Sequence, residues 1–294
     1  DPVLSVDGGA VADTVALPDI AEDGTIVFQG ANNNAITVAD ADAVDPISMT
    51  LAATKGTLEL SGTGGLTNVV GDGGATVSFD GSAADINAAL AGMTYTADAD
   101  AEGAETITIT LNDNNSAGAG GGADVVRTIT FNITAVNDAP VLNNASNLTL
   151  TGINEDPVAN TGMAVSDLIA TGAGGDPISD VDAGAVEGIA VVGADDTNGT
   201  WEYSTDGGTT WTAFAPVAAG SAVLLATGAN DRVRFVPDAN YNGTATMTVR
   251  AWDRSDANTS GTTGVDTTTN GDGTAFSTAT VTAQITVADV NDAP

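Results

Sequence analysis

The side chains of this chain that could do chemistry are almost all carboxylates. Its 294 residues include 39 Asp and Glu, six Lys and Arg, and neither His nor Cys. Without imidazole or thiol, the usual nucleophile–base pairs and the soft-metal sites are out of reach. Carboxylate oxygen is instead the ligand of a hard cation such as Ca²⁺, which gathers six to eight oxygens at about 2.3–2.6 Å. The acids are spread along the chain, with 20 against two bases in residues 1–138 and 19 against four in residues 139–294. A net charge of −33 at pH 7 speaks against nucleic acid and anionic membrane as partners, because both are held by Lys and Arg. No apolar run approaches the roughly 18 residues of a membrane span, so no membrane insertion is expected of this stretch. The absence of Cys suits an exported surface protein that gains rigidity from metal rather than from disulfides.

Other constellations carry less. Glu202 and Asp206 are the nearest approach to a glycosidase carboxylate pair, but no cleft motif accompanies them, and the chain reads as a non-enzyme. Residues 204–211, Ser-Thr-Asp-Gly-Gly-Thr-Thr-Trp, match the Asp-box pattern of sialidase propellers. The pattern occurs once where a propeller needs it in each of at least about four blades, so it reads as a hairpin staple. Trp201, Trp211 and Trp252 offer either a sugar platform or core packing, and core packing is the expectation. Residues 266–274 have the composition of a Ca²⁺ loop but lack the Glu that closes an EF-hand.

The elements that must position these groups are ordered by a repeat. Val136-Asn137-Asp138-Ala139-Pro140 returns as Val290-Asn291-Asp292-Ala293-Pro294, and Asp1-Pro2-Val3-Leu4 reads like Asp138-Ala139-Pro140-Val141-Leu142 with one residue missing. A period set by Pro2, Pro140 and Pro294 has the length of a domain, roughly 100–150 residues, and is too long for a solenoid repeat of about 20–50. The expectation is two consecutive modules of a longer array, 1–138 and 139–294, the second with a long insertion near 255–274. Period-two alternation of apolar and polar residues predicts strands at 25–28, 35–38, 47–52, 57–60, 75–79, 106–112 and 125–136 in the first module. In the second it predicts 147–151, 188–192, 200–204, 222–225, 232–236, 245–253 and 277–290. One short helix is expected at 82–92, where Ser82 and Asp85 form a capping box, and a hairpin at Asp206-Gly207-Gly208. The insertion reads as an exposed loop. Many short strands with Gly, Asn and Asp between them predict an all-β fold of two tandem antiparallel β-sandwiches, and Pro140 and Pro294 stiffen the links into a rod.

The motif residues also resemble a family. Thr134-Ala135-Val136-Asn137-Asp138-Ala139-Pro140 and Val287-Ala288-Asp289-Val290-Asn291-Asp292-Ala293-Pro294 look like the closing signature of bacterial cadherin-like modules. Such modules form tandem arrays in giant RTX-type surface adhesins. Residues 199–211, 234–243 and 250–253 are similar to one recurrent module of such arrays, and residues 90–96 and 107–113 to a sister module. The resemblance implies Ca²⁺ at the junctions, held by an early Glu, an Asp-x-Asp, the linker Asn-Asp and a late Asp. On this chain these are Glu22 and Glu155; Asp40 with Asp42, and Asp180 with Asp182; Asn137 with Asp138, and Asn291 with Asp292; and Asp113 and Asp253. By cadherin geometry, Glu22, Asn137, Asp138, Asp180, Asp182 and Asp253 would form one set. Glu155, Asp289, Asn291 and Asp292 would be half of a set completed by a following module, and Asp40, Asp42 and Asp113 would face a preceding one. The copies are unequal, because Ala135 stands where the second linker has Asp289. Carboxylates gathered in this way repel one another without metal, and a dication turns the repulsion into a clamp.

The function implied is a Ca²⁺-rigidified extender of a bacterial cell-surface adhesin, secreted and outer-membrane-associated. It would project a distal adhesive region for attachment or biofilm formation, with neighbouring modules of the same polypeptide as its partners. The alternative is a module that itself binds a glycan or another copy of the adhesin, for which the second module is the better candidate.

Overall fold

A computed structural model describes residues 3–6, 14–40, 46–114, 124–145, 147–156, 160–172 and 174–291. The chain divides into two compact units, Asp1–Val136 and Asn137–Pro294. Both are all-β, with two short α-helices in the described residues, Ala83–Leu90 and Val165–Ile169. No described helix is long and apolar enough to cross a membrane.

In the first unit the larger sheet runs, edge to edge, through Thr14–Ala16, Val125–Thr134, Gly103–Asn112, Ile47–Ala52, Thr76–Gly81 and Thr67–Val70. Thr14–Ala16 and Ile20–Ala21 both lie parallel to Val125–Thr134, interrupted at Pro18, which has no N–H to give. The rest of this sheet is antiparallel. A smaller sheet orders Thr25–Val27, Thr94–Ala97 and Gly56–Glu59, and Val3–Val6 pairs with Ile36–Ala39. The expected alternation decides which residues face inward. Ile47, Met49, Leu51, Ile107, Ile109, Leu111, Ile129 and Ile133 are at most 1% exposed and meet Leu58 and Tyr95 of the smaller sheet in one core. Burying each such side chain contributes about 1.5–3 kcal/mol. Tyr95 and Phe131 pack edge to face across the two sheets, ring centroids 5.2 Å apart. The helix forms as predicted, with Ser82 Oγ accepting the Asp85 N–H at 3.2 Å and Ile86, Ala89 and Leu90 buried.

The second unit repeats this strand order except at the outer edges, where the larger sheet ends on a strand from the insertion and the smaller sheet gains a fourth strand. Its larger sheet runs Leu148–Thr149, Val281–Ala288, Gly243–Trp252, Gly188–Ala194, Ala222–Ala226 and Thr263–Val265, with Ile153–Asn154 again parallel to the last long strand. The smaller sheet runs Met163–Ala164, Arg232–Pro237, Gly199–Ser204 and Thr212–Ala213, and Val141–Leu142 pairs with Ile178–Ser179. The hairpin at Asp206 is present, with Glu202 opposite Ala213. The Asp206 carboxylate staples it by accepting the Thr210 N–H at 2.8 Å and the Ser204 and Thr210 hydroxyls. These bonds, Thr210's first, hold its pKa down to about 2.

Three expectations change. The strands predicted at 125–136 and 277–290 stop at Thr134 and Ala288, because Glu22 and Glu155 capture the N–H groups of Val136 and Val290. Strands also form at 3–6, 14–16, 67–70 and 94–97, where no strand is expected from the sequence. The insertion is not a plain exposed loop. Thr263–Val265 closes one edge of the larger sheet, and Ala275 and Phe276 join Ala190, Ala222, Leu224 and Trp252 in a second small core. Ala222–Ala226 is therefore buried on both faces. Gly188 permits this packing, since a Cβ there would come within 2.7 Å of the Trp252 ring.

Trp201 is fully buried and packs on Phe235 with centroids 5.2 Å apart. Trp201→Ala should cost the second unit about 3–5 kcal/mol, read as a fall in the denaturation midpoint followed by circular dichroism.

Candidate cation site

Asp180, Asp182 and Asp253 come together in the second unit because each follows a strand end on the same side of the fold. Asp180 and Asp182 follow Ile178–Ser179, and Asp253 follows Gly243–Trp252. The segment that opens the unit is tied to the same place. Asn137 Nδ2 donates to Asp253 Oδ2 at 3.0 Å and to the Thr274 carbonyl at 3.3 Å. The Asp138 N–H donates to Asp182 Oδ2 at 2.9 Å. The Asp182 N–H donates in turn to Asp180 Oδ1 at 3.0 Å, and Asp253 Oδ1 accepts the Ser255 N–H at 2.8 Å. Five of the residues expected to gather, Asn137, Asp138, Asp180, Asp182 and Asp253, thus form one hydrogen-bonded group within the unit.

The group borders a cavity of about 190 Å³ lined by Pro140, Asp180, Asp182, Glu187, Trp252 and Asp253. Asp253 is 6% exposed. Asp180 Oδ2 is buried without a hydrogen-bond partner. Burial raises the Asp180 pKa, and the charges of Asp182 and Asp253 push it further in the same direction. Glu187, which sequence reasoning missed, is the fourth acid on this cavity. Its pKa is raised by burial first, then by the charge of Asp176 and a hydrogen bond shared with it. The only signal for Glu187 was its position five residues after Asp182.

These donors fit a hard cation. All are carboxylate oxygens or can offer a carbonyl, one carboxylate oxygen is buried without a donor, and the Asp180 pKa is raised by burial first and by the charges of Asp182 and Asp253 after it. The residues that would hold the ion are Asp180, Asp182 and Asp253, with Asn137 and Asp138 beside them.

The two early glutamates do a different job. In the first unit the Glu22 N–H donates to the Thr134 carbonyl at 3.0 Å, and its carboxylate accepts the Val136 N–H. In the second, the Glu155 N–H donates to the Ala288 carbonyl at 3.0 Å, and Glu155 Oε1 accepts the Val290 N–H at 2.6 Å. Each glutamate clips the exit of the last strand at equivalent places, which ends the strand. Glu155 is 3% exposed, and Asp289 Oδ1 accepts from Asn242 Nδ2 at 3.4 Å. Asn291 follows in the tail. Asp40 and Asp113 follow Ile36–Ala39 and Gly103–Asn112, the topological counterparts of the positions of Asp180 and Asp253, and Asp113 is 4% exposed. Asp42 and Asp292 lie outside the described residues.

The chain matches no known family profile and no curated protein sequence. Solved structures similar to it include cadherin ectodomains. Drosophila N-cadherin EC1-4 is 14% identical with a TM-score of 0.40, the match covering 99% of this chain and 49% of that one. Human mucin-like protocadherin EC1-2 is 12% identical with a TM-score of 0.43, covering 98% of each chain. Human protocadherin-24 EC1-2 is 15% identical with a TM-score of 0.40, covering 98% and 99%. The chain spans about half the length of the N-cadherin fragment. At such scores the likeness is no basis for a functional conclusion, which has to rest on the carboxylates.

A carboxyl whose folded pKa is raised contributes stability below its unfolded pKa and loses it as pH rises through the folded value. In chelator, Asp180→Asn should therefore raise the melting temperature at pH 7 relative to the parent chain. The gain should vanish as the pH is lowered below the ordinary carboxylate range, which a pH series of thermal melts would show.

Proposed function

We propose that the chain is a pair of tandem cation-binding β-sandwich modules, 1–138 and 139–294, from the stalk of an extracellular adhesin of a bacterial surface. Its role is to extend and to present other parts of the same polypeptide. The observation that carries this reading is the convergence of Asp180, Asp182 and Asp253 on one cavity, with Asp180 Oδ2 buried and lacking a donor. A dication there relieves the repulsion and draws in the Asn137–Asp138 segment, so the ion orders the segment that opens the second unit. Ca²⁺ suits the all-oxygen donor set. The topological duplication supports reading the two units as successive copies, with Asp40, Asp42 and Asp113 as the matching acids of the first. Glu22 and Glu155, besides clipping the strand exits, are carboxylates that would contribute oxygens. Asp289, Asn291 and Asp292 are the corresponding acids and amide of the second link.

The glycan-binding reading finds no platform in the three tryptophans. Trp201 and Trp252 are fully buried. Trp211 lies under the Arg234 guanidinium, 4.1 Å from its ring centroid, and gives its indole N–H to the Gly208 carbonyl. Glu202 is engaged by the same Arg234 at 2.6 Å.

Ca²⁺ should raise the melting temperature of the second unit by mass action, about 2.7 kcal/mol of stabilisation at a hundredfold excess over Kd. Trp252 lines the cavity with the three aspartates, so Tb³⁺ bound there should emit on tryptophan excitation. Ca²⁺ should quench that emission by displacement, and Asp180→Asn with Asp182→Asn should abolish it. Thermal melts and Tb³⁺ titrations that are indifferent to these changes would remove the cation from the reading.

A further inference from the structure

The second unit differs from the first chiefly between its last two long strands, where residues 253–280 replace residues 113–124. The tail of this insertion reaches the opening segment of the unit. The Ala139 N–H donates to the Asp272 carbonyl at 2.7 Å, and Asn137 Nδ2 donates to the Thr274 carbonyl at 3.3 Å. Gly273 lies against Asn137, and a Cβ on it would come within 3.1 Å of the Asn137 carbonyl oxygen. Three successive residues of the insertion therefore touch the Asn137–Ala139 stretch.

The tail is rigidly held on its other side. Gly271 donates to the Phe276 carbonyl at 2.8 Å, and Thr274 Oγ1 to the Gly271 carbonyl at 2.8 Å, which close 271–276 into a tight loop. Gly271 and Asp272 adopt left-handed backbone, φ 77° and 46°. Phe276 bridges to Trp252, and the Asp253 N–H donates to the Ala275 carbonyl at 3.1 Å. Both Ala275 and Phe276 are buried in the small core on the outer face of the sheet. The loop is thus bolted to the end of the strand Gly243–Trp252, which Asp253 follows, and so to the carboxylates.

We propose that the insertion is a positioning device for the Asn137–Pro140 segment. It anchors itself in the Trp252–Phe276 core and uses its 272–274 backbone to hold Asn137 on Asp253 and the Asp138 amide on Asp182. The polar, Gly- and Thr-rich insertion is then a buttress that preorganises one wall of the cation site. Asp272, Gly273 and Thr274 act through Asn137 and Asp138 rather than as ligands. Only the effect on cation binding rests on the proposed function, and the hold on the segment stands independently of it.

Hydrogen exchange on the full chain in chelator tests the hold directly. Phe276→Ala loosens the anchor, and Gly273→Val wedges the contact with Asn137 while leaving both cores alone. In either variant the Ala139 amide should exchange at least about tenfold faster, the change expected on losing one sheltered backbone hydrogen bond, while Leu225 and Val249 amides keep their protection. Tb³⁺ affinity should fall with it. An Ala139 amide that exchanges at the parent rate in both variants overturns the proposal. Faster Ala139 exchange in the variants, with a parent chain that itself binds no Tb³⁺, upholds the buttress and rejects the cation.

Discussion

Six cations cannot neutralise 39 acids, and the fold depends on how the remaining carboxylates are satisfied. Among the described residues, many of them are satisfied by the backbone. Asp19 takes the Asn132 N–H, Asp72 the Leu60 N–H, Glu105 the Thr54 N–H and Asp196 the Trp201 N–H, all at 2.8–3.0 Å. A hydrogen bond from N–H to an ionised carboxylate is shorter and stronger than a neutral one. It fixes both the side chain and the turn that presents the N–H. Acids placed at turns thus supply much of the order that salt bridges supply elsewhere, and the fully buried Glu105 is tolerated because Thr54 and Tyr95 surround it with donors.

The same rule marks where backbone donors run out. At the Asp180, Asp182 and Asp253 group the available N–H groups are used on Asp180 Oδ1, Asp182 Oδ2 and Asp253 Oδ1. Asp180 Oδ2 is left buried with no donor. Carboxylates in this position raise one another's pKa or take up a cation. Burial raises the Asp180 pKa, and the charges of Asp182 and Asp253 add to the rise.

The two units show how one strand order carries different local chemistry. Glu22 and Glu155 make equivalent clips on the last strand, so the exits after Thr134 and Ala288 begin alike. The linkers beyond these clips differ, since Ala135 in one copy replaces Asp289 in the other. The second unit also covers the outer face of its larger sheet with the insertion, whereas the first carries the helix Ala83–Leu90 in the connection from Thr76–Gly81 to Thr94–Ala97. A strand order tolerates such substitutions because loops attach at sheet edges and ends, where they do not disturb the inner face.

The long strands, the helix with its Ser82 cap and the Asp206 hairpin were all legible in the amino-acid sequence. Each is a local signal, a period of two, a capping pair or a turn residue, and local signals survive without neighbours. The sequence likewise nominated Asn137, Asp138, Asp180, Asp182 and Asp253 by residue type and motif. Only the tertiary structure decided that these five share one hydrogen-bonded group, that Glu187 belongs to the same cavity, and that a Thr- and Gly-rich insertion is packed rather than loose. It also decided where the last strands end. The deciding contacts join residues far apart in the chain, as Asn137 meets Asp253 and Glu155 meets Val290, or depend on the buried Trp252 and Phe276. No local pattern encodes which distant donor a carboxylate will meet.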